Sequence, residues 1–116
     1  MNLLHLEPIR FAKEILSLDL NKAKVSCFFP YAPTLSMILE ASAQSSAAFS
    51  IDATLRAGFL VLAKDVELLQ NPKECSFVAY IEQSGLFANQ REFFFEFFND
   101  SEDTLVARGT FMIVLE

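Results

Sequence analysis

Hydrophobic and polar residues alternate along much of the chain, a pattern typical of strands that bury one face. In residues 22–29, for example, Lys22 and Lys24 fall on one face and Ala23 and Val25 on the other. Extended segments of this kind, bounded by turn residues, are predicted at 11–20, 22–29, 57–69, 75–85, 91–98 and 104–115. The pattern therefore predicts a sheet of five to six strands, and we expect the last four to form an antiparallel meander.

The segment REFFFEFF at 91–98 differs from the others because both of its faces are largely apolar. Three phenylalanines share one face, and two more share the other face with Glu92 and Glu96. A strand with two apolar faces is typical of the middle of a sheet. We therefore place this segment centrally.

From Thr34 onward the alternation gives way to a helical pattern. Two prolines interrupt strand pairing before it, and Pro33 or Thr34 is well placed to begin a helix. Residues 41–48, ASAQSSAA, are nearly all Ala and Ser, so we expect this helix to approach a sheet closely and to be buried nearly all round. The sequence predicts one long central helix at about 33–53, wrapped by a curved antiparallel sheet, in a single α+β domain of residues 1–116.

The chain has 116 residues, of which 53% are hydrophobic and thirteen are Phe. A domain of this size buries roughly two-thirds of its unfolded surface. So much apolar sequence exceeds what the core of a small monomer needs. We therefore expect a homodimer or a dimer of dimers, formed through edge strands that continue the sheet across the two-fold axis.

The net charge of −6 at pH 7 argues against nucleic acid as a partner, because phosphate binding needs clustered Lys and Arg. It also disfavours an anionic membrane surface. The opening residues MNLLHLEPIRF lack the positive region of a signal peptide, and no apolar run reaches the roughly 20 residues of a membrane helix. We expect a soluble, cytoplasmic protein without nucleic-acid or membrane partners.

The residues that bind metals or form disulfides are few. Cys27 and Cys75 lie far apart without a CxxC motif, and His5 is the one histidine. A metal site is therefore not expected, and the two cysteines are predicted to be buried or partly buried free thiols.

Glu40 is the only charged residue between Lys24 and Asp52. An isolated ionised carboxylate is expensive to bury, and it usually acquires a proton or a dedicated partner. Glu40 is therefore either the acid of a buried site or a residue without a catalytic role, which is stabilised by the helix dipole in the N-terminal half of the helix or faces solvent at an interface rim. In the first interpretation Gln44, one turn later, is placed to orient it.

The stretch CFFPYAPTLSMILEASAQ, residues 27–44, resembles the 3-hydroxyacyl-acyl-carrier-protein dehydratases, which have the hot-dog fold. These enzymes carry a His-Phe-Pro pattern, followed by a helix that contains Glu-Ala-x-Ala-Gln. Phe29 and Pro30 match Phe-Pro, and Glu40 to Gln44 match the helix motif. The predicted order of strand, strand, helix and four strands agrees with this fold.

The opening segment 3–16 resembles the family's first segment, with His5 at its early histidine and Pro8 at its proline. The chain departs from the family at the catalytic histidine, because Phe28 occupies that position, and the Pro-Gly before the helix is missing. The resemblance implies a histidine base and a helix carboxylate, contributed by the other subunit, which handles the β-hydroxyl. Only the carboxylate, Glu40, is present here.

The candidate catalytic residues are Glu40 and, more weakly, His5. His5 either replaces the missing base or is a surface residue near the chain end, and the Tyr31 phenol is a better donor than base. The candidate substrate-binding residues are Phe28, Phe29, Pro30, Tyr31 and Gln44. No cofactor is expected, because a base and an acid suffice for dehydration.

Three functions are consistent with these residues. The first is a dehydratase-like lyase that binds or dehydrates acyl carrier protein or acyl-CoA thioesters in fatty acid or polyene-type biosynthesis. The second is a non-catalytic subunit that pairs with a His-bearing hot-dog partner, and the third is a thioesterase-like or acyl-binding protein. Carrier proteins are acidic, so their docking needs a local basic patch. The candidates for this patch are Arg10, Lys13, Lys22 and Lys24.

Overall fold

The computed structural model of the chain describes residues 10–49 and 58–115. Its elements are, in order, β1 (Ala12–Leu18), β2 (Lys22–Phe28), α1 (Leu35–Ser45), a 3₁₀ helix (Ser46–Phe49), β3 (Gly58–Leu68), β4 (Ser76–Phe87), β5 (Gln90–Asn99) and β6 (Leu105–Leu115). Each predicted strand is present within a few residues of its predicted bounds.

The strands form one sheet in the order β1-β2-β4-β5-β6-β3, and every neighbouring pair is antiparallel. β5 is central, as predicted. The predicted meander holds for β4, β5 and β6, but it is wrong for β3, which lies beyond β6 at the edge. The reason is that β2 occupies the edge of β4 on which β3 would have paired, from Lys22 opposite Glu82 to Phe28 opposite Ser76.

One face of α1 packs against the concave face of the sheet. Small side chains allow this contact, because Ala41, Ser42 and Ser45 are completely buried there beside Ile38. Buried hydroxyls are costly unless they form hydrogen bonds. Ser42 and Ser45 meet this requirement within the helix, since their hydroxyls donate to the carbonyls one turn earlier at 2.9 and 2.7 Å.

Phenylalanines supply most of the volume on the sheet side of the core. Phe29 is completely buried, and its ring lies 4.8 Å from that of Phe11 and 5.6 Å from that of Phe77. The buried phenylalanines are Phe11, Phe29, Phe77, Phe93, Phe95, Phe97 and Phe111. Large rings on the sheet and small residues on the helix thus fill the core together.

The opposite face of α1 is only partly covered by the described residues. Ser36 is exposed and Glu40 and Ala43 are half-buried, as is Ala47 of the 3₁₀ helix that follows. The expectation that the helix is buried nearly all round is therefore wrong for the described part of the chain, because residues 10–49 and 58–115 form no second layer over this face. We call these four residues the open helix stripe.

Thr34 begins the helix, as predicted. Its hydroxyl accepts a hydrogen bond from the backbone N–H of Met37 at 3.3 Å, and its carbonyl accepts from Ile38 at 3.0 Å. Such a cap satisfies backbone groups that the first helical turn leaves unpaired. The described helical segment ends at Phe49, and the predicted continuation to residue 53 lies outside the described residues.

Both edge strands are irregular. β1 and β3 each contain two register shifts against their single neighbour. In β3 one shift lies between Lys64 and Glu67, where Asp65 has a φ of 54°. Val66 then packs over Gly109 of β6, so that an added Cβ at Gly109 would lie 2.8 Å from the Val66 side chain. Bulges of this kind interrupt the row of free backbone groups on which another strand could add.

The turn between β5 and β6 is fastened to the convex face of the sheet. Glu102 has a φ of 62°, and its carboxylate accepts a hydrogen bond from the Tyr80 hydroxyl and pairs with Lys24 at 2.9 Å. The Lys24 ammonium also lies 5.0 Å from the centre of the Tyr80 ring. The convex face is thus a solvated surface whose charges are partly paired.

We predict that Gly109→Ala destabilises the protein by about 1–3 kcal/mol, the usual cost of overpacking a filled site. The new methyl group would lie 3.0 Å from the Val66 Cα and 3.0 Å from the Phe95 ring, so backbone must move. Urea unfolding at fixed protein concentration measures the change. Gly85→Ala is the matched control, because its nearest contact, the Cβ of Glu92, is 3.3 Å away. Equal stability of the two variants would contradict the packing at Gly109.

The loss of protein stability at acid pH should depend on the turn between β5 and β6. Hydrogen bonds from Asn99 lower the pKa of Asp103 below its ordinary 3.8, and those from Tyr80 and Lys24 lower the pKa of Glu102 below its ordinary 4.5. Because folding depresses both values, the stabilisation is fully present above about pH 4.5 and is lost as the pH falls through the folded pKa values.

Thermal unfolding between pH 5 and 3 tests this dependence. Asp103→Asn keeps an acceptor oxygen but removes the ionisation, so its melting temperature should fall less steeply with acid than that of the wild type. Parallel curves for the two proteins would show that Asp103 does not contribute.

Candidate functional site

Glu40 lies on the open helix stripe, half-buried near the middle of α1. Its carboxylate accepts a hydrogen bond from the Nε2 of Gln44, one turn later, at 3.4 Å. The two side chains are therefore in contact one turn apart, and the role of Gln44 in orienting a catalytic acid stays a prediction. Glu40 is the one charged side chain of the helix.

Gln44 is buried, with 4% of its surface exposed. Its Oε1 accepts two backbone hydrogen bonds at the start of β1, from the N–H of Phe11 at 2.7 Å and that of Ala12 at 3.1 Å. These two bonds fix which end of the amide is oxygen, so the amide nitrogen is left to donate toward Glu40. The Glu40 carboxylate thus accepts a hydrogen bond from Gln44, whose side chain is in turn fixed by the backbone at the start of β1.

Phe11 extends this arrangement to the end of β2. Its N–H donates to Gln44, and its carbonyl accepts from the N–H of Phe28 at 2.9 Å. Three hydrogen bonds in sequence therefore connect the Glu40 carboxylate, through Gln44 and Phe11, to the backbone of Phe28. The sequence gives no sign of this connection, because the bond between Gln44 and Phe11 joins residues 33 apart in the chain.

Phe28 stands where the resembling family carries its catalytic histidine, and its side chain is 49% exposed. Along β2 the buried side chains are those of Ala23, Val25 and Cys27, so Phe28 falls on the opposite side of the strand. The Phe28 ring has no group that can accept a proton, so it cannot act as a base. Its exposed surface is available for contact with a second subunit.

The remaining predicted binding residues do not form one surface. Tyr31 is 61% exposed and Pro30 is exposed, on the loop between β2 and α1. Phe29 is completely buried among other phenylalanine rings, where it serves the core, and its contact with substrate stays a prediction. His5 lies outside the described residues.

The cysteines are free thiols, as predicted. Burial raises the pKa of Cys27 to about 12, although its contact with the Ser45 hydroxyl at 3.7 Å opposes the shift. A thiol with so high a pKa stays protonated and is a poor nucleophile. Cys27 is therefore a core residue.

Residues 10–49 and 58–115 contain neither a cluster of metal-ligating side chains nor a long apolar helix. No group of three or more His, Cys, Asp or Glu side chains in these residues could hold a metal ion. Within 10–49 and 58–115, no helix has the length and apolar character that crossing a bilayer requires.

A recess of about 260 Å³ lies at one end of the sheet, away from Glu40. Its lining residues are Gln70, Asn71, Pro72, Lys73, Glu74, Phe77, Asn99, Thr104 and Val106. None of the predicted site residues is among them. The open helix stripe therefore remains the better candidate, because it carries the oriented carboxylate.

Chemically, Glu40 is a carboxylate without a histidine among the described residues. Phe28 stands at the position where the resembling family carries its histidine, and the acid role of Glu40 stays a prediction. A complete acid–base pair would need a group from outside this part of the chain.

Solved structures similar to this chain share its fold. One is the dehydratase heterocomplex ApeI:P from Xenorhabdus doucetiae, at 13% identity and a TM-score of 0.80, covering 98% of this chain and 88% of that one. Another is a hypothetical thioesterase with coenzyme A from Streptococcus pneumoniae, at 14% identity and a TM-score of 0.68, covering 89% and 84%.

A third similar structure is an HP0420 homologue from Helicobacter felis, at 16% identity and a TM-score of 0.71, covering 97% of this chain and 83% of that one. No protein-family model matches the chain, and no curated protein sequence matches it. The structural likeness confirms the predicted hot-dog fold, since these neighbours are hot-dog proteins.

We predict that Gln44→Met destabilises the protein by about 2 kcal/mol or more, because two buried N–H groups lose their acceptor. Hydrogen exchange should accelerate most at the amides of Phe11 and Ala12. Gln90→Met, at an exposed glutamine, is the matched control and should change neither quantity. Unchanged exchange at these two amides in Gln44→Met would contradict the bond network.

Proposed function

We propose that this chain is the carboxylate-bearing subunit of a hot-dog assembly that dehydrates 3-hydroxyacyl thioesters, and that a second hot-dog subunit supplies the histidine base. The observation that carries the proposal is the pairing of an oriented acid with a missing base. Gln44 holds the Glu40 carboxylate, while a half-exposed Phe28 stands at the position of the base.

The dehydration reaction can use an acid and a base that come from two different subunits. Dehydration removes the proton α to the thioester carbonyl and expels the β-hydroxyl, so it needs a base and an acid on one substrate. The resemblance to the dehydratases implies that the two groups come from different subunits. Glu40 would then face the partner's histidine and protonate the departing hydroxyl.

With the acid and the base on different subunits, each heterodimer would contain one site that has both groups. In the site that contains Glu40, both groups are present. In the reciprocal site, the partner's own helix carboxylate would face Phe28, which cannot accept a proton. This chain would thus complete one site and leave the other without a base.

The packing of the single chain supports a partner on this side of the molecule. The open helix stripe places Ser36, Ala43 and Ala47 beside Glu40, and small residues let another element approach closely. Phe28 lies on the opposite face of the sheet from the helix, so its 49% exposed side chain is a separate surface from this stripe. A subunit that covered the stripe would also desolvate Glu40, which strengthens its interaction with a substrate hydroxyl. The fold likeness to a dehydratase heterocomplex agrees with such an assembly.

Thioester hydrolysis is a second candidate function. One carboxylate can activate a water molecule without a histidine, so the missing base matters less for this reaction. The fold likeness to a thioesterase with coenzyme A favours testing it. In that case the chain alone, as a homodimer, would hydrolyse acyl-CoA through Glu40.

The proposal predicts that activity appears on mixing. With a 3-hydroxybutyryl N-acetylcysteamine thioester, which needs no carrier protein, this chain alone should show negligible dehydration. Addition of a His-bearing hot-dog subunit from the same genome should give turnover, measured by absorbance of the enoyl product. Glu40→Gln should then lower the rate of the mixture by about 10²–10⁴-fold, the usual contribution of an acid or base.

Two controls make this experiment decisive. Glu82→Gln, a glutamate of β4, should leave the rate unchanged. Substituting the helix carboxylate of the His-bearing subunit should also leave the heterodimer active, provided that its homodimers are removed. If that substitution abolishes activity and Glu40→Gln does not, the proposed division of roles is wrong. Acyl-CoA hydrolysis by the chain alone, abolished by Glu40→Gln, would favour the thioesterase.

A further inference from the structure

The first described residues of the chain lie beside the open helix stripe. The backbone N–H of Phe11 donates to the Oε1 of Gln44 at 2.7 Å, and the Nε2 of the same amide donates to Glu40 at 3.4 Å. Two hydrogen bonds and one amide group thus separate Phe11 from the Glu40 carboxylate, a distance of less than roughly 9 Å. The residues that precede Phe11 in the chain therefore start next to this carboxylate.

Residues 1–9, MNLLHLEPI, lie outside the described residues, and their composition is typical of a segment that packs against other parts of a protein. Five of the nine are large apolar residues, and Glu7 is the one residue among them that is Asp, Glu, Lys or Arg. Apolar surface left in water costs about 25 cal/mol per Å². We therefore expect this segment to cover other apolar surface, and the surface nearest to its attachment at Phe11 is the open helix stripe.

The segment is long enough to reach Glu40. His5 precedes Phe11 by six residues, and an extended chain covers about 3.3 Å per residue, so the two backbones can lie up to about 20 Å apart. The Glu40 carboxylate is well within that radius. Pro8 favours an extended conformation of the residue before it, which keeps this part of the chain from shortening into a helix.

The open helix stripe suits such a segment in both size and charge. Ser36, Ala43 and Ala47 have small side chains, which leave room for larger ones beside Glu40. A half-buried carboxylate is stabilised by a cationic hydrogen-bond donor. His5 is the single histidine of the chain, and a protonated imidazole donates from both of its nitrogens.

A second copy of the chain is a less suitable occupant of the stripe. Glu40 lies near the middle of the stripe, so two copies that paired symmetrically through it would bring their carboxylates together. Like charges at close range oppose ionisation of both groups. An imidazolium beside Glu40 has the opposite effect, so charge complementarity favours His5 over a second stripe.

We propose that residues 4–9 fold back over the open helix stripe of the same chain and place the His5 imidazole on the Glu40 carboxylate. His5 then donates a hydrogen bond to Glu40, while Leu4 and Leu6 cover the small residues beside it. This contact belongs to the chain without a partner, so it does not depend on the proposed function. In the assembly proposed above, the second subunit would have to displace the segment from the stripe.

The ionisation of His5 tests this contact, because its imidazole is the only one in the chain and its NMR signals are therefore unambiguous. A carboxylate beside the imidazole favours the charged form, so the pKa of His5 in the untagged full chain should lie above the ordinary value of a histidine. Glu40→Gln keeps the size and polarity of the side chain but removes the charge. It should return the pKa of His5 to the ordinary value.

Glu7→Gln is the matched control, because Glu7 is the carboxylate nearest to His5 along the chain. It should lower the pKa of His5 much less than Glu40→Gln does. Arg10 and Lys13 are positively charged and would lower this pKa, so they cannot mimic the expected rise. An ordinary pKa of His5 in the wild type, or equal effects of the two substitutions, overturns the proposed contact.

Nuclear Overhauser contacts identify the surface that the segment covers. They are expected between the His5 ring and the methyl group of Ala43, which follows Glu40 on the stripe. An isotope-filtered spectrum of mixed labelled and unlabelled protein separates contacts within one chain from contacts between two copies. Contacts within one chain support the proposal, whereas their absence, or their origin in a second copy, overturns it. Failure of dehydration on mixing would instead contradict the proposed function alone.

Discussion

The structure depends on the close contact between one face of α1 and the concave face of the sheet. That contact needs small side chains on the helix, and Ala41, Ser42 and Ser45 provide them without leaving a buried hydroxyl unpaired. A single helix packed against a single sheet has a second face, which residues 10–49 and 58–115 leave partly open. The open helix stripe is therefore a direct consequence of the architecture, and Glu40 lies on it.

Gln44 links this packing to chemistry. It belongs to the buried face of the helix, where its carbonyl oxygen holds the start of β1 through the backbone of Phe11 and Ala12. Its amide nitrogen faces Glu40. The residue that fastens β1 to the helix is thus also the residue that orients the carboxylate, so the stability of the fold and the geometry of the candidate site are coupled.

Local patterns in the sequence predicted the local features well. The alternation in 22–29 identified β2, the double apolar faces of 91–98 identified the central strand, and Thr34 identified the start of the helix, because each depends on neighbouring residues. Three features depend on contacts distant in sequence and could not be predicted in this way. These are the position of β3 beyond β6, the packing of Val66 over Gly109, and the bond between Gln44 and Phe11.

The candidate site also combines features that can be read from residue type with features that depend on distant contacts. Glu40 could be selected as a candidate acid from its lone charge and from a motif, and Phe28 as a departure from the resembling family, since both are matters of residue type, but their roles stay predictions. The predicted dimer and the contacts of Tyr31 with substrate stay predictions, because they depend on what covers the open helix stripe. The convex face, by contrast, is solvated, with Lys24 paired to Glu102 and Lys64 to Glu92.

In the proposed assembly, Glu40 completes a site whose base belongs to another subunit. The most direct test is a crystal structure of this chain with the His-bearing subunit and a bound, unreactive 3-hydroxyacyl thioester analogue. We expect the Glu40 carboxylate to lie within hydrogen-bond reach of the β-hydroxyl, about 2.6–3.2 Å away or through one water, with the partner's histidine beside the α-carbon. A ligand held between the histidine and carboxylate of the partner subunit, with Glu40 facing solvent, would contradict it.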